Sequence, residues 1–485
     1  SREEWEADWQ SRCLRDNMKL LHRTVKERRR DIPVILYYGT YREDGTGQPE
    51  NLDLRYETAD LVCTEAQDIL SAGKKKLPYA WKPTLNMKLG QCIPAQPRPF
   101  GIIHSCPGMD WRHTGLPAAE YEFWLSQVPA ANGQLWHSLP AVIPDRRMLE
   151  VMERVTHKAE RSDRLMEGAV SAADTLLLWN AGICELGMVQ GMMDCHIPFD
   201  VMDVWHLDLR RMREYAAILL PDGFPMDEAL EEMLTVYVQE GGAVFAQRTD
   251  GEIGKGLAAL LGISPEACAG HELSACYGVL EPEGRALERG LEKTRYLPIK
   301  GEVLYTKPQK EARTLMTLIP PFAPPDGVGA PPERASLPIK HTQIPLLLDR
   351  RIGRRRVLTA FFDLSRLLLE IGLEDQKLLF ENCISWLNGE RAAFDGRELP
   401  EGVFSYPYRA GERLLVHLVN GIGSRPLKSC IPCGPLSFSV RAWKKERISR
   451  VYSALDAGAV SWEESGNSIR IRLESLQVWD IIVLE

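Results

Sequence analysis

The chain has 485 residues, of which 44% are hydrophobic and 26% are charged, a composition typical of globular proteins rather than disordered or fibrous ones. A formal net charge of −8 argues against a dedicated nucleic-acid-binding protein, since such proteins normally carry a basic surface. The apolar runs are too short to cross a bilayer and no signal peptide is visible, so we expect a cytoplasmic protein without membrane partners. At roughly 150 residues per domain, the length predicts about three domains.

The first third of the chain alternates helical and extended patterns. A helical pattern over residues 3–29 is followed by short apolar runs at 34–38, 61–64, 100–103 and 134–136, with helical stretches near 118–127 and 146–167 between or after them. Short buried strands that alternate with helices predict a parallel sheet or barrel built from β-α units.

A second α/β block begins near residue 173. Its predicted strands lie at 175–180, 199–204, 216–221 and 241–246, with a helix over 227–239, a rhythm typical of a doubly wound sheet. Proline pairs between residues 320 and 332 predict a long loop. We interpret the Arg-rich run at 350–356 as a hairpin around Gly353 rather than an anion site, and a helix containing Leu378 and Trp386 closes the block. The last 95 residues alternate apolar and polar positions, which predicts a β-sandwich.

The eleven cysteines are scattered and odd in number, which favours reduced, buried thiols over a disulfide framework. Cys430 and Cys433 have CxxC spacing, but without a second ligand pair they are better explained as two strand cysteines than as a metal or redox site. We therefore expect neither a metal nor a cofactor.

Two stretches carry a resemblance to known proteins. The segment LRRMREYAAILLPDGFPMD, from Leu209, and the later YVQEGGAVFA resemble the β-galactosidase trimerisation domain, whose fold is like that of class I glutamine amidotransferases. AWKPTLNMKLG, from Ala80, and FGIIHSCPGMDWRHTGLP, from Phe100, are similar to hypothetical glycosyl hydrolases built on the plan of family 42 β-galactosidases.

The resemblance implies an architecture and a function. Residues 1–165 are expected to form the C-terminal half, strands five to eight, of a (β/α)8 barrel. Residues 170–392 are expected to form the trimerisation domain, and residues 393–485 a C-terminal β-sandwich. Strands one to four would lie before Ser1, so we expect an N-terminally incomplete glycoside hydrolase that acts on a saccharide substrate as a homo-oligomer, a trimer in the family.

Barrel enzymes place their chemistry at the carboxyl ends of the strands. The expected ends carry these candidate residues: Tyr38, Glu65, His104, Asp110, Trp111, Arg112, His113, Trp136 and His137. In family 42 the nucleophilic Glu lies at the end of strand seven in a Phe-x-x-x-Glu-Ser stretch, and the acid/base lies on strand four, which this chain lacks. Here His104 stands where the nucleophile is expected.

Two interpretations therefore stay open. In the first, Glu65 or Asp110 acts as a catalytic carboxylate, because glycosidases need two carboxylates around the scissile bond. Aromatic faces would then hold the sugar ring while neighbouring polar side chains bind its hydroxyls. In the second, the protein is a non-catalytic saccharide-binding or oligomerisation protein. Glu65 can also be explained as a carboxylate at a helix start, and Trp136 as a core residue.

The amidotransferase-like block has no visible glutaminase nucleophile. Those enzymes carry a Cys on a tight turn after a strand, activated by a His. The corresponding stretch, residues 244–248, reads VFAQR and contains no cysteine. The resemblance therefore implies a role in oligomerisation or at the rim of a substrate site.

Overall fold

A computed structural model describes residues 2–39, 41–42, 45, 51–67, 77–93, 96–139, 145–251, 253–320, 341–353, 355–389, 392–442 and 448–485. The chain divides into two compact units. The first contains Ser1–Thr40, Pro49–Arg164 and Ser424–Ser429, and the second contains Tyr41–Gln48, Leu165–Gly423 and Cys430–Glu485. The loop predicted around residues 320–332 lies almost wholly outside the described residues.

The first unit is built on a parallel sheet. Its strands are β1 (Ile35–Tyr37), β2 (Leu61–Glu65), β3 (Phe100–His104) and β4 (Gln134–Ser138), which lie side by side in chain order. Its helices are α1 (Arg2–Arg28), α2 (Asp53–Tyr56), α3 (Lys82–Gly90), α4 (Ala118–Ala130) and α5 (Arg147–Leu165). The four predicted strands and the alternation with helices are confirmed.

Helices α3 and α4 cover one face of this sheet. A Cβ atom added at Gly101 of β3 would lie 2.8 Å from Val128 of α4 and 3.0 Å from Met87 of α3. Glycine at this position therefore lets the helices approach the strand closely. Nearly every residue of α3 and α4 is buried, which makes this layer the core of the unit.

A buried ion pair holds the segment Ser424–Ser429 in the first unit. The Arg425 guanidinium donates to the Glu120 carboxylate of α4, whose side chain is 0% exposed, and lies 4.2 Å from the centre of the Trp124 ring. The same carboxylate accepts from the Leu427 backbone N–H at 2.8 Å and from Trp124 Nε1 at 2.9 Å. Glu120 thus has a donor for each of its oxygens.

The second unit contains a mixed sheet of nine strands within the described residues, in the order β11-β10-β12-β13-β14-β9-β8-β6-β7. The strands are β6 (Thr175–Trp179), β7 (Phe199–Asp203), β8 (Ala217–Leu220), β9 (Ala243–Gln247), β10 (Ala269–Leu280), β11 (Leu297–Tyr305), β12 (Ala312–Ile319), β13 (Pro345–Ile352) and β14 (Arg355–Ala360). The helices are α6 (Ile183–Asp194), α7 (Leu209–Met212), α8 (Glu228–Gln239), α9 (Lys255–Leu261), α10 (Leu364–Glu370) and α11 (Glu374–Asn388).

The parallel part of this sheet has a flavodoxin-like connectivity. Numbered along the chain, its five strands β7, β6, β8, β9 and β14 lie in the order 2-1-3-4-5, one of the common doubly wound arrangements. The doubly wound prediction is confirmed. Strands β13 and β14 form the predicted hairpin, and Gly353 in its turn has a φ of +62°, which glycine adopts without strain.

The end of the chain forms two antiparallel sheets, one of which also includes β5 from near residue 170, and the strands predicted there are confirmed. One has the order β15-β18-β21-β20 and the other β19-β22-β17-β16-β5. The strands are β5 (Val170–Ser171), β15 (Phe394–Asp395), β16 (Val403–Ala410), β17 (Arg413–Asn420), β18 (Leu436–Arg441), β19 (Val451–Ser453), β20 (Val460–Ser465), β21 (Ser468–Leu473) and β22 (Trp479–Leu484). Alternate residues of β18 and β21 are buried and pack into one core.

The cysteine predictions are partly corrected. All eleven cysteines lie among the described residues and carry thiols rather than disulfides, and seven of them are buried. Cys430 and Cys433, however, do not lie in a strand. They precede β18 in a loop, where only Cys433 forms an isolated bridge, to Leu476. Pro432 between them lacks the N–H that a continuing ladder needs.

None of the helices among the described residues is both long and apolar enough to cross a bilayer.

Candidate functional site

The carboxyl ends of β2 and β3 bring Glu65 and His104 together. The two strands are parallel, and Glu65 is in register with Ile102. His104 lies two residues after Ile102, so its side chain is on the same face of the sheet as that of Glu65. His104 Nε2 lies 3.7 Å from Glu65 Oε1, which is within ion-pair range but too long for a hydrogen bond. The Glu65 side chain is half exposed and that of His104 is buried.

Gln67 and Asn86 fix the backbone at these strand ends. The His104 backbone N–H donates to Gln67 Oε1 at 3.1 Å, and Asn86 Nδ2 donates to the carbonyl of Ala66 at 3.2 Å. Because both contacts are buried, they hold the two strand ends at constant positions. The Glu65 carboxylate is therefore presented from a rigid backbone.

Strand alternation decides which candidates share the face of Glu65. Register pairs Tyr37 with Cys63 and Trp136 with Ile102, so both aromatic residues lie on the face of Glu65. Tyr37 is 53% exposed and Trp136 is 38% exposed, whereas Cys63, Ile102 and His104 on the same face are buried. We call this face, with its two exposed rings, the open face. Burial, together with the Cys63 and Glu65 side chains, raises the pKa of Tyr37.

Tyr38 and His137 lie on the opposite, helix-covered face. The Tyr38 hydroxyl donates to the Asn86 carbonyl of α3 at 2.6 Å. The ring nitrogens of His137 lie 3.4 Å from the hydroxyls of Tyr121 and Thr156, on α4 and α5, and burial lowers the His137 pKa. The structure therefore does not bring these two candidates together with Glu65.

The loop after β3 presents a second group of candidates. Trp111 ends a short 3₁₀ helix, Met109–Trp111, and is 60% exposed, and Asp110, Arg112 and His113 are exposed with it. The Leu116 N–H donates to the Ser105 carbonyl at 2.8 Å, which anchors the far end of the loop at the end of β3. These side chains therefore stand in solvent at the same edge of the sheet as His104.

Sequence reasoning missed Tyr37. The run from Ile32 to Tyr38 is almost continuously apolar and offers no alternation from which to assign faces. The register of β1 with β2 supplies the missing signal, because Tyr37 and not Tyr38 pairs with a residue two positions before Glu65. In the part of the chain that the structure describes, no group of three or more His, Cys, Asp or Glu side chains is placed to hold a metal ion.

Among the described residues of the second unit, no exposed thiol lies at the carboxyl edge of the parallel sheet. Cys184, in the first turn of α6, is buried and accepts hydrogen bonds from the Asp222 N–H at 3.3 Å and the Ser365 hydroxyl at 3.2 Å. Burial raises its pKa well above the usual value, so the group is a thiol rather than the thiolate of a nucleophile. This agrees with the missing glutaminase motif.

No family model and no curated protein matches the chain. Solved structures do. The α-L-fucosidase isoenzyme 2 of Paenibacillus thiaminolyticus aligns over 98% of the chain with a TM-score of 0.76 and 15% identity. The chain shares the fold of the corresponding part of this fucosidase.

Two β-galactosidases share this fold. That of Bacillus circulans sp. alkalophilus aligns over 98% of the chain with a TM-score of 0.63 and 14% identity, and Gan42B, a GH42 enzyme from G. stearothermophilus, over 95% with 0.62 and 12%. The chain spans 71%, 67% and 64% of the lengths of the fucosidase, the Bacillus enzyme and Gan42B. At these identities the likeness shows the fold, and the structural resemblance to family 42 enzymes is confirmed at that level.

Proposed function

We propose that this chain belongs to a glycoside hydrolase that cleaves O-glycosidic bonds in β-galactosides or closely related glycosides, with the open face of the first sheet as its substrate site. The observation that carries the proposal is the position of Glu65 between the exposed rings of Tyr37 and Trp136, at the carboxyl end of a parallel sheet. Carboxylates beside exposed aromatic rings suit a sugar, which has hydroxyl groups and apolar C–H faces.

We propose three domains: half of a (β/α)8 barrel (residues 1–165, strands five to eight), an amidotransferase-like trimerisation domain (170–392) and a C-terminal β-sandwich (393–485). Further β-α units would then pair with the outer edges of β1 and β4 and enclose the open face. Its exposed aromatic residues support this, because a sheet of this kind is normally covered on both faces. By the same resemblance, the complete protein forms a homo-oligomer, a trimer.

In the proposed mechanism, Glu65 supplies one of the two carboxylates that flank the scissile bond. His104, 3.7 Å away, positions this carboxylate and balances its charge when protonated. The second carboxylate comes from the units that enclose the face, or from Asp110 in the loop after β3. Trp136 packs against the sugar ring, and Trp111, Arg112 and His113 contact its outward groups. Tyr38 and His137 support the sheet from the helix-covered face.

A second candidate function is saccharide binding or oligomerisation without hydrolysis. His104 favours it, because the resemblance places a nucleophilic Glu at this position. The two functions differ in whether wild-type protein releases product.

The test is hydrolysis of a panel of aryl glycosides, including β-galactosides and α-L-fucosides, by the intact protein. We expect turnover of at least one glycoside by wild type and a loss of kcat/KM of about 10³-fold or more in Glu65→Gln. Asp110→Asn shows whether the loop carboxylate is the partner. Glu57→Gln, an exposed carboxylate paired with Lys19, is the matched control and retains activity. Binding without turnover by wild type would favour the second function, and full activity in Glu65→Gln would remove this residue from the mechanism.

A further inference from the structure

The second unit contains a cavity of about 1040 Å³ that lies away from the carboxyl edge of its parallel sheet. Asp174, Pro198 and Arg355, which line it, stand at the amino-terminal ends of β6, β7 and β14. The last two turns of α11 form another wall. Residues of β15 and β18 and the turn between β20 and β21 close the other side. Its size is at the upper end of that of small-molecule sites.

The wall of this cavity is formed by specific close contacts. His196 follows the C-terminus of α6 with a φ of +54°, and its Nε2 lies 3.1 Å from the Pro400 carbonyl. A Cβ atom added at Gly396 would lie 2.6 Å from the His196 Cβ, so only glycine lets these two segments meet. Burial lowers the His196 pKa to about 4, and the ring is neutral at physiological pH.

Charges of both signs line the cavity in equal number. The acidic residues are Asp174, Glu381 and Asp395, and the basic ones are Arg355, Arg397 and Arg441. Asp395 pairs with Arg397, whose Nε lies 2.7 Å from Oδ1. Burial raises the pKa of both Glu381 and Asp395, although the Arg289 charge acts in the opposite direction. A ligand with a large net charge of either sign would face as much repulsion as attraction here.

Two fully buried side-chain oxygens of α11 accept no hydrogen bond from any of the described residues. Asn388 is only 6% exposed; its Nδ2 donates to Thr175 Oγ1 at 3.2 Å, but its Oδ1 accepts no hydrogen bond. Glu381, two turns earlier on the same helix face, also has a buried oxygen, Oε1, without a donor. Buried acceptors of this kind are normally satisfied by protein, water or a ligand. The carbonyls at the C-terminus of α11 add further acceptor character at this end.

We propose that this cavity binds a neutral polyhydroxy compound, a mono- or disaccharide, at a site distinct from the open face. Hydroxyl groups donate and accept at once, so they can pair with the carboxylates and the arginines that line the cavity without adding charge. Ile197 and Pro198, which line the cavity and are only partly buried, supply apolar surface for the C–H groups of the sugar. This goes beyond the proposed function, because it requires no bond cleavage and lies wholly in the second unit.

The test is binding of galactose, L-fucose and lactose to the full chain, by saturation-transfer NMR and calorimetry. We expect a dissociation constant in the millimolar range or tighter for at least one sugar, and a weakening of roughly tenfold or more in Glu381→Ala. Glu374→Ala, the same change in the exposed first turn of α11, is the control and binds as wild type. Ser385→Trp fills the cavity from the same helix and also abolishes binding; Glu381→Ala keeps the test valid if this larger change impairs folding.

Trp136→Ala separates the two sites, because it alters the open face and leaves the cavity intact. Sugar binding that Trp136→Ala abolishes and Glu381→Ala leaves unchanged would overturn the proposal. So would the absence of binding by all three sugars at millimolar concentration. Phosphate and spermidine serve as charged probes: tighter binding of either than of the sugars, lost in Glu381→Ala, would also overturn it.

Discussion

Removal of Arg425 should show how much the buried ion pair with Glu120 contributes to the stability of the first unit. Arg425→Ala deletes the cation that, among the described residues, is paired with Glu120. The Glu120 carboxylate would keep the Leu427 N–H and Trp124 Nε1 as donors but would remain buried without a counter-charge. Since Glu120 is 0% exposed and packed within α4, its carboxylate cannot move out to bulk water without disrupting the helix packing.

The expected loss of stability in Arg425→Ala depends on the burial of Glu120 more than on the strength of the Arg425–Glu120 contact. Breaking a buried pair by removing one partner typically costs about 3–5 kcal/mol, because an uncompensated charge remains. Arg425 also loses its contact with the Trp124 ring, at 4.2 Å from the centroid, worth about 0.5–2 kcal/mol. These terms overlap, so we expect a loss of about 4 kcal/mol in the free energy of unfolding of the first unit.

The assay is urea unfolding followed by hydrogen exchange of peptides from α4, which reports on the first unit separately from the second. Arg164→Ala is the control: its pair with Glu160 has a similar N–O distance, 2.6 Å, but both side chains are largely exposed, so we expect a loss of only about 0.3–0.5 kcal/mol. The double variant Glu120→Gln/Arg425→Met should regain much of the stability, because no charge stays buried. A cost for Arg425→Ala no larger than for Arg164→Ala would refute the reasoning.

Three further predictions concern separate parts of the chain. Burial raises the pKa of Glu185 to about 7, so the wild type loses stability as the pH rises from about 4.5 towards 7. Glu185→Gln cannot ionise and should therefore be more stable than wild type at pH 8, by on the order of 3 kcal/mol. Near pH 4.5 the two proteins should be equally stable. Gly187→Ala should destabilise the second unit by about 1–3 kcal/mol, because the added Cβ lies 2.0 Å from the Ser365 carbonyl oxygen, which outweighs the gain in helix propensity. Trp136→Ala should raise KM for a glycoside about tenfold with little effect on stability.

Each has a matched control. Glu160→Gln, at an exposed carboxylate, should change the free energy of unfolding at pH 8 by no more than about 0.5 kcal/mol. A pH-independent difference between Glu185→Gln and wild type would contradict the first prediction. Gly251→Ala, where the nearest atoms lie at 3.6 Å, should alter stability by less than about 1 kcal/mol; a stabilised Gly187→Ala would contradict the second. Trp205→Ala removes an exposed Trp of the second unit, and equal KM values for both Trp variants would contradict the third.

Local patterns were sufficient to predict most elements. Period-two alternation predicts β18 and β21, because a strand buried on one face alternates apolar and polar residues. Continuous apolar runs predict β6 to β9, because these strands are buried on both faces. The pairing of β5 with β16 could not be predicted, since only two residues, Val170 and Ser171, form it with partners more than 200 positions away. The apolar residues around Cys430 and Cys433 predict a strand, but Pro432 between them cannot donate to a strand ladder.

The candidate site was predictable only in part. Glu65 and Trp136 follow from strand ends, but the choice between Tyr37 and Tyr38 depends on register, and a one-residue error moves a side chain to the other face. No local pattern in the sequence predicts the cavity of the second unit. Its lining residues run from Asp174 to Ser468, and only the fold brings them together.

The most direct test of the central claim is the kcat/KM of Glu65→Ala on an aryl glycoside that wild type cleaves, measured with and without sodium azide. If Glu65 is a catalytic carboxylate, the variant should lose about 10³-fold or more, and azide should restore turnover by taking the place of the missing group and forming a glycosyl azide. Wild-type activity in Glu65→Ala without azide would contradict the account.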